Sequence, residues 1–237
     1  MNSLFLENSL AESFMIKGVY EMPFKFLGQT VYITTSDISS WILTILILIV
    51  GIAVGLKIKN NLDAPKGIQN FAEMAIEFLN NMGDGILGEN RSRFINYIAT
   101  IFVFILVCNL SGFFGMRAPT ADYGVTFCLG VFTFLIVQFQ NIKNHGFGVI
   151  TSLFQPVPVL FPINVIGEFA NPISISLRLF ANLLSGVIML GLWYGMTPII
   201  CQIGIPAFLH AYCDLFSGCI QTYVFCMLTI VYVNDKL

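Results

Sequence analysis

Ionisable residues divide the chain into long uncharged stretches. No Asp, Glu, Lys or Arg occurs in residues 38–56, 94–116, 123–142, 179–213 or 215–234. A bilayer core takes about 20 apolar residues of helix, so each shorter stretch predicts one membrane-spanning helix. The stretch 179–213 is too long for one crossing. It carries Gly195, Pro198, Gly204 and Pro206 in its second half, which predicts a turn with a helix on either side. Asn171 and Pro172 suit a helix cap and a first helical position, so local signals start the fourth helix near there and carry it to about Tyr194. The fifth runs from about Pro206 to Val233.

Polar positions inside these helices fall on single faces. Asn171, Ser174, Arg178, Asn182 and Ser185 are spaced three, four, four and three apart, one stripe on an otherwise apolar fourth helix. His210, Asp214, Ser217 and Gln221 repeat the theme on the fifth. The two stripes face each other across a wet cleft, or both line a path against a third surface. Between the first two spans, Ile68, Phe71, Ala75, Phe78 and Met82 recur at helical spacing, with Glu73 and Glu77 off the stripe. That pattern predicts an interfacial amphipathic helix over about 66–82, either a contact for a partner subunit or a packing strut.

Composition agrees with this picture. The 237 residues are 57% hydrophobic and 10% charged, with a mean hydropathy of +0.83, more apolar surface than a water-soluble exterior can hide. A net charge of −2 without a basic stripe excludes nucleic acid as a partner. The first 37 residues lack a basic start followed by an apolar core, so no cleavable signal peptide is read. Six cysteines lie in or beside apolar stretches without a CxxC pair, and His145 and His210 have no clustered ligands. No disulfide, metal or cofactor is expected. Gly51 to Lys57 does not form a phosphate-binding loop, and Gly51-xxx-Gly55 and Gly191-xxx-Gly195 would permit close helix approach.

Basic residues set the expected orientation. Residues 57–93 hold Lys57, Lys59, Lys66, Arg91 and Arg93 of the eleven basic residues, whereas the first forty hold only Lys17 and Lys25. The positive-inside tendency puts 57–93 in the cytoplasm, the N-terminal segment 1–37 outside and the C-terminus inside, with Lys143 also inside.

Arg178 carries the chemical argument. A charge near the bilayer centre costs about 2.5–3.5 kcal/mol, so it persists for a use or a partner. The plain structural alternatives are an ion pair to Asp214 that stitches two helices together, and a side chain snorkelling to the interface. Arginine effectively never deprotonates, so it can serve as a fixed electrostatic gate. A carboxylate passing within about 4 Å, at an effective dielectric near 20, gains roughly 4 kcal/mol, or about three pKa units toward its ionised form. Asp214 and Glu168 are the embedded acids. Asp214 is a cation relay or the neutraliser of Arg178, and Glu168, ahead of the Asn-Pro cap, marks an entrance or a solvated helix end. His210 is a proton shuttle or an interfacial side chain. Asn182 and Gln221 are members of the cleft or packing glue.

These residues also carry a resemblance. The run Pro172-Ile-Ser-Ile-Ser-Leu-Arg178-Leu-Phe-Ala-Asn182 and the closing Gln221-Thr-Tyr-Val-Phe-Cys-Met-Leu-Thr-Ile-Val-Tyr232 resemble subunit a of the F-type rotary ATP synthase, as do Asn109-Leu110 and Ala118-Pro119-Thr120-Ala121-Asp122. The resemblance covers roughly residues 38–237. It implies an all-α integral membrane protein with five membrane-embedded helices and one cytoplasmic interfacial helix, the last two helices long and tilted. The expected spans are about 38–56, 94–116, 123–142, 160–195 and 206–233. It further implies a non-catalytic, ion-translocating stator subunit in a bacterial cell membrane, with two half-channels for H+ or Na+. The partners would be a c-subunit ring, peripheral stalk subunits and the lipid bilayer.

The essential arginine of that family maps to Arg178, its asparagine to Asn182 and its glutamine to Gln221. Many bacterial members carry Glu nine residues after the arginine and His seven before the glutamine. Val187 and Asp214 stand there, so Asp214 is expected to carry the relay alone. The ion-route candidates are Arg178, Asp214, Asn182, Gln221, Glu168, His210, Ser185 and Ser174. A free-standing secondary transporter is the competing reading, although no internal repeat of the kind such folds show is visible.

Overall fold

The computed structural model describes residues 18–26, 29–60, 68–87, 91–114, 116, 118–146, 148, 159, 161–197 and 204–236. Two strands, β1 (Gly18–Phe26) and β2 (Gln29–Thr34), form an antiparallel hairpin with irregular register, which the sequence pattern did not announce. Helices follow: α1 (Thr35–Asn60), α2 (Ile68–Leu87), α3 (Arg91–Leu110), α4 (Tyr123–His145), α5 (Phe161–Met196) and α6 (Ile205–Asp235). Short 3-10 turns at Ser111–Phe114 and Pro119–Ala121 lead from α3 to α4. All but α2 are long and apolar enough to cross a membrane, giving the expected five.

Helix α1 opens on its own cap. The Asp37 carboxylate accepts from the Thr34 amide at 3.0 Å and from the Thr34 hydroxyl at 2.8 Å. Its remaining faces are apolar and exposed, from Trp41 and Ile42 to Ile49 and Leu56, as befits a helix whose solvent is lipid. Helix α2 is strongly amphipathic and runs to Leu87, five residues past the expected end at 82. It turns Leu79, Met82 and Leu87 into the bundle and leaves Met74, Ile76 and Phe78 exposed.

The other four helices make the core. Helix α4 packs along α5, and α3 along α6. Phe94, Ile98, Ile101, Ile105, Val137, Ile175, Leu179, Phe225, Ile230 and Val233 interlock with Leu79 and Met82. Between membrane helices close packing replaces water exclusion as the source of stability, so the small residues decide where backbones meet. A Cβ on Gly130 of α4 would lie 2.8 Å from the Pro172 carbonyl oxygen, one on Gly186 would lie 3.2 Å from Cys213 Cβ, and one on Gly218 would lie 3.1 Å from Asn109 Cβ. Gly51 and Gly55, by contrast, meet nothing within 4 Å, so that spacing serves no helix contact among the described residues.

Helix α5 begins at Phe161, close to the 160 of the expected span and not at the Asn171-Pro172 cap that local signals suggested, and it passes through Pro172 without stopping. A mid-helix proline removes one amide donor and crowds the preceding turn, but neighbouring helices in a membrane absorb the loss, and Gly130 opens the space. With 36 residues the helix is about 54 Å long, well beyond the roughly 30 Å hydrocarbon core, so it crosses obliquely or projects from it. The turn expected around Pro198 lies largely outside the described residues. Its far edge is Gly204, whose φ of 94° suits glycine alone, followed by Pro206 in the first turn of α6. Within α6, residues Ala211–Ser217 form a π-helical segment before the α pitch resumes at Gly218.

Candidate functional site

Arg178 sits near the midpoint of α5, 17 positions after Phe161 and 18 before Met196. Either end of the helix is about 25 Å away along the axis. It lies on the exposed face of α5, in an open groove lined by Val165, Ile166, Phe169, Ile173, Ser174 and Leu177. Among the described residues no carboxylate pairs with it, so the stitch to Asp214 is not made. Ser174 and Ser185 share the exposed side, and Ser185 turns its hydroxyl back to the Asn182 carbonyl at 2.8 Å.

Asn182 turns inward toward α6. Ser217 Oγ donates to Asn182 Oδ1 at 2.8 Å, and one turn farther along, Gly186 packs against Cys213. Both pairs advance four residues on α5 while α6 retreats four. One more step in the opposite sense brings Gln221 level with Arg178. Gln221 is buried, and its Nε2, like the Nδ2 of Asn182, meets no hydrogen-bond partner among the described residues. An unmet buried donor costs about 1–3 kcal/mol in a dry core, so these two amides are open to a further partner.

On one side of this level lies Asp214, 8% exposed on the π segment, with its Oδ2 2.8 Å from His210 Nδ1. Asp214, expected to carry the relay alone, thus has His210 of the preceding turn beside it. Gly112 opens room beside the carboxylate, where a Cβ would sit 3.5 Å from Asp214 Cγ. Helix segments widened to the π pitch recur at functional sites because they re-aim side chains.

Next to it, Asn109 is completely buried. It donates to the Gly218 carbonyl at 3.0 Å and to Thr222 Oγ1 at 3.1 Å, and accepts from Thr120 at 2.9 Å. Asp122 closes this end of the bundle by capping α4 through the Gly124 amide at 3.1 Å. Of these, only the Asn109-Leu110 and Ala118–Asp122 segments had drawn notice, through the resemblance.

On the other side of Arg178, ten residues back on α5, lies Glu168. The continuous helix places it well inside α5 rather than at a solvated helix end. Gln138 Nε2 of α4 donates to its Oε2 at 2.9 Å, and the Lys236 ammonium pairs with its Oε1. Asn171, at the foot of the polar stripe, shares a small cavity with Glu168, Gln138, Thr133, Tyr232 and Lys236. No group of three or more potential metal ligands exists among the described residues. Neither Gln138 nor Lys236 stood out in the sequence, since each joins the site only through tertiary contact.

The arrangement is thus a fixed cation at mid-helix on the exposed face of α5, with one carboxylate and its basic partner toward each end: Asp214 with His210, and Glu168 with Lys236. The family model described as ATP synthase A chain matches residues 38–234. The "ATP synthase subunit a, sodium ion specific" of Propionigenium modestum is 35% identical, over 94% of this chain and 78% of that protein. The "ATP synthase subunit a" of Moorella thermoacetica is 37% identical, over 86% of this chain and 90% of that protein. The chain therefore belongs to the ATP synthase A chain family, and is an ion-translocating membrane subunit of ATP synthase.

Proposed function

We propose that the chain is the stator subunit through which a monovalent cation, H+ or Na+, reaches and leaves the carboxylates of a rotating c-ring by two half-channels. The observation that carries this reading is Arg178, a fixed charge with no carboxylate partner among the described residues, on the exposed face of α5 between Asp214 and Glu168. Such a face offers a passing carboxylate a counter-ion within the membrane. The basic residues of 57–93, Lys143 and Lys236 support a cytoplasmic assignment for the Glu168 end. Residues 1–37 are then an extracytoplasmic segment and 38–237 a single membrane domain.

In this reading a cation enters beside Asp214 and His210, passes the Asn182–Gln221 level and loads a ring carboxylate. The ring carries it nearly a full turn to the other flank of Arg178. There the guanidinium favours the ionised carboxylate and expels the ion toward Glu168. The same charge blocks a direct leak. Ser174 and Ser185 flank the crossing point. Each charge moved across 100 mV supplies about 2.3 kcal/mol, so several are needed for each ATP made on catalytic subunits elsewhere in the complex. The chain itself is non-catalytic, and peripheral stalk subunits hold it still.

The test is Arg178→Ala and Arg178→Lys in the assembled complex. Both abolish ion-driven ATP synthesis while the ring still co-purifies, and wild-type rates in either would sink the reading. Synthesis in proteoliposomes driven separately by a sodium gradient and by a pH gradient identifies the ion. The sodium-specific name of the Propionigenium modestum relative makes the sodium arm worth running first.

A further inference from the structure

The Glu168 cluster contains a group that an ion route does not require. Lys236 follows directly after the last residue of α6, and its ammonium pairs with Glu168 Oε1 while Gln138 donates to Oε2. Both carboxylate oxygens are thus engaged by donors, one of them fully charged. The ammonium already balances the one negative charge of Glu168, and a second cation brought to the same carboxylate is repelled by it, so Lys236 and a passing ion compete for the site. The side chains of Lys236 and Glu168 are 28% and 23% exposed, which sets the pair at the mouth of the cluster rather than sealed within it. The adjoining cavity of about 30 Å³ has room for a small ion or a water beside Thr133, Asn171 and Tyr232. Lys236 lies beyond the helical ladder and hangs on a flexible four-carbon stem, so it can leave Glu168 without unwinding α6.

We propose that Lys236 is a tethered cation latch: its ammonium fills the station at Glu168 that the translocated ion uses, and an ion moves on only when Lys236 swings out. The latch rests on the reading of Glu168 as part of the ion route. It makes the exit one-at-a-time, because a departing cation must displace a resident one, and it keeps Glu168 charge-balanced when no ion is present.

The test uses the whole complex in vesicles, with the catalytic head removed so that passive ion conductance reports the membrane sector alone. Lys236→Gln raises that conductance about fivefold at low driving force, the occupancy ratio that one partly exposed ion pair sets. Lys236→Met, which keeps the stem and loses the charge, does the same. Unchanged or lowered conductance in both variants, in complexes that retain the ring, overturns the latch. A purely structural ion pair would give that result, since weakening a contact does not speed an ion. Glu168→Gln separates the two claims. If it cuts conductance while the Lys236 variants raise nothing, the latch alone fails; if it leaves conductance at the wild-type level, the placement of Glu168 on the route fails with it.

Discussion

Ser217 Oγ donates to Asn182 Oδ1 at 2.8 Å, and this bond sets the register in which α5 and α6 run past each other. It ties a residue one turn from Arg178 to a residue one turn from Gln221. Ser217→Ala removes the donor and lowers ion-driven synthesis about threefold, the worth of one hydrogen bond of about 0.6 kcal/mol between membrane helices. Asn182→Leu costs more, and the double variant costs less than the two together. Strict additivity in ATP synthesis rates would show that the pair does not act as a unit.

Asp214→Asn keeps the shape of the Asp214–His210 pair and removes the carboxylate's charge. Synthesis falls by at least about tenfold, since a hydrogen bond to a charged group contributes about 1.5–3 kcal/mol. His210→Ala leaves the carboxylate in place and reduces the rate less. Equal losses in the two variants, measured at one driving force, would mean that the histidine does more than orient its neighbour.

Gly130→Ala drives a methyl group to 2.8 Å from the Pro172 carbonyl oxygen, where neither backbone can give way easily. The expected loss is about 1–3 kcal/mol of stability, seen as a lower melting temperature of the complex in mild detergent. Gly51→Ala and Gly55→Ala meet nothing within 4 Å and leave melting unchanged or slightly raised.

Asn109→Leu removes three hydrogen bonds at once and strands the fully buried Thr120 hydroxyl, whereas the Gly218 carbonyl keeps the Thr222 hydroxyl at 2.8 Å. The stranded group costs about 1–3 kcal/mol, enough to reduce assembly into membranes. Normal yield with normal melting would mean that the cluster relaxes around the change.

Much of the fold was legible because lipid imposes one demand on sequence, long stretches without charge, and five such helices exist. Arg178 was legible for the converse reason: a charge inside such a stretch needs an explanation. Pro172 misled because a proline opening a helix and one inside it are locally alike, and the difference is Gly130, forty-two residues earlier on another helix. The spacing of four put His210 and Asp214 on one face, and the direct contact between them depends on the π segment that no periodicity marks. Asn109, Gln138 and Lys236 reach partners between 30 and 113 residues away, a separation that no periodicity encodes. The hairpin stayed hidden because its register is interrupted twice, so apolar and polar positions do not alternate along it.

The π segment at Ala211–Ser217 carries one residue more than an α pitch would hold, and its wider turn absorbs the surplus without rotating the flanking helix. Removing one residue, for instance the exposed Tyr212, would let the segment tighten to the α pitch with Ile205–His210 and Gly218–Asp235 keeping nearly the same bearing. His210 would then stand three rather than four residues before Asp214, on the same face but meeting the carboxylate from a different angle. The fit of this one pair can therefore be retuned by a single-residue deletion while every side chain from Gly218 onward keeps its place.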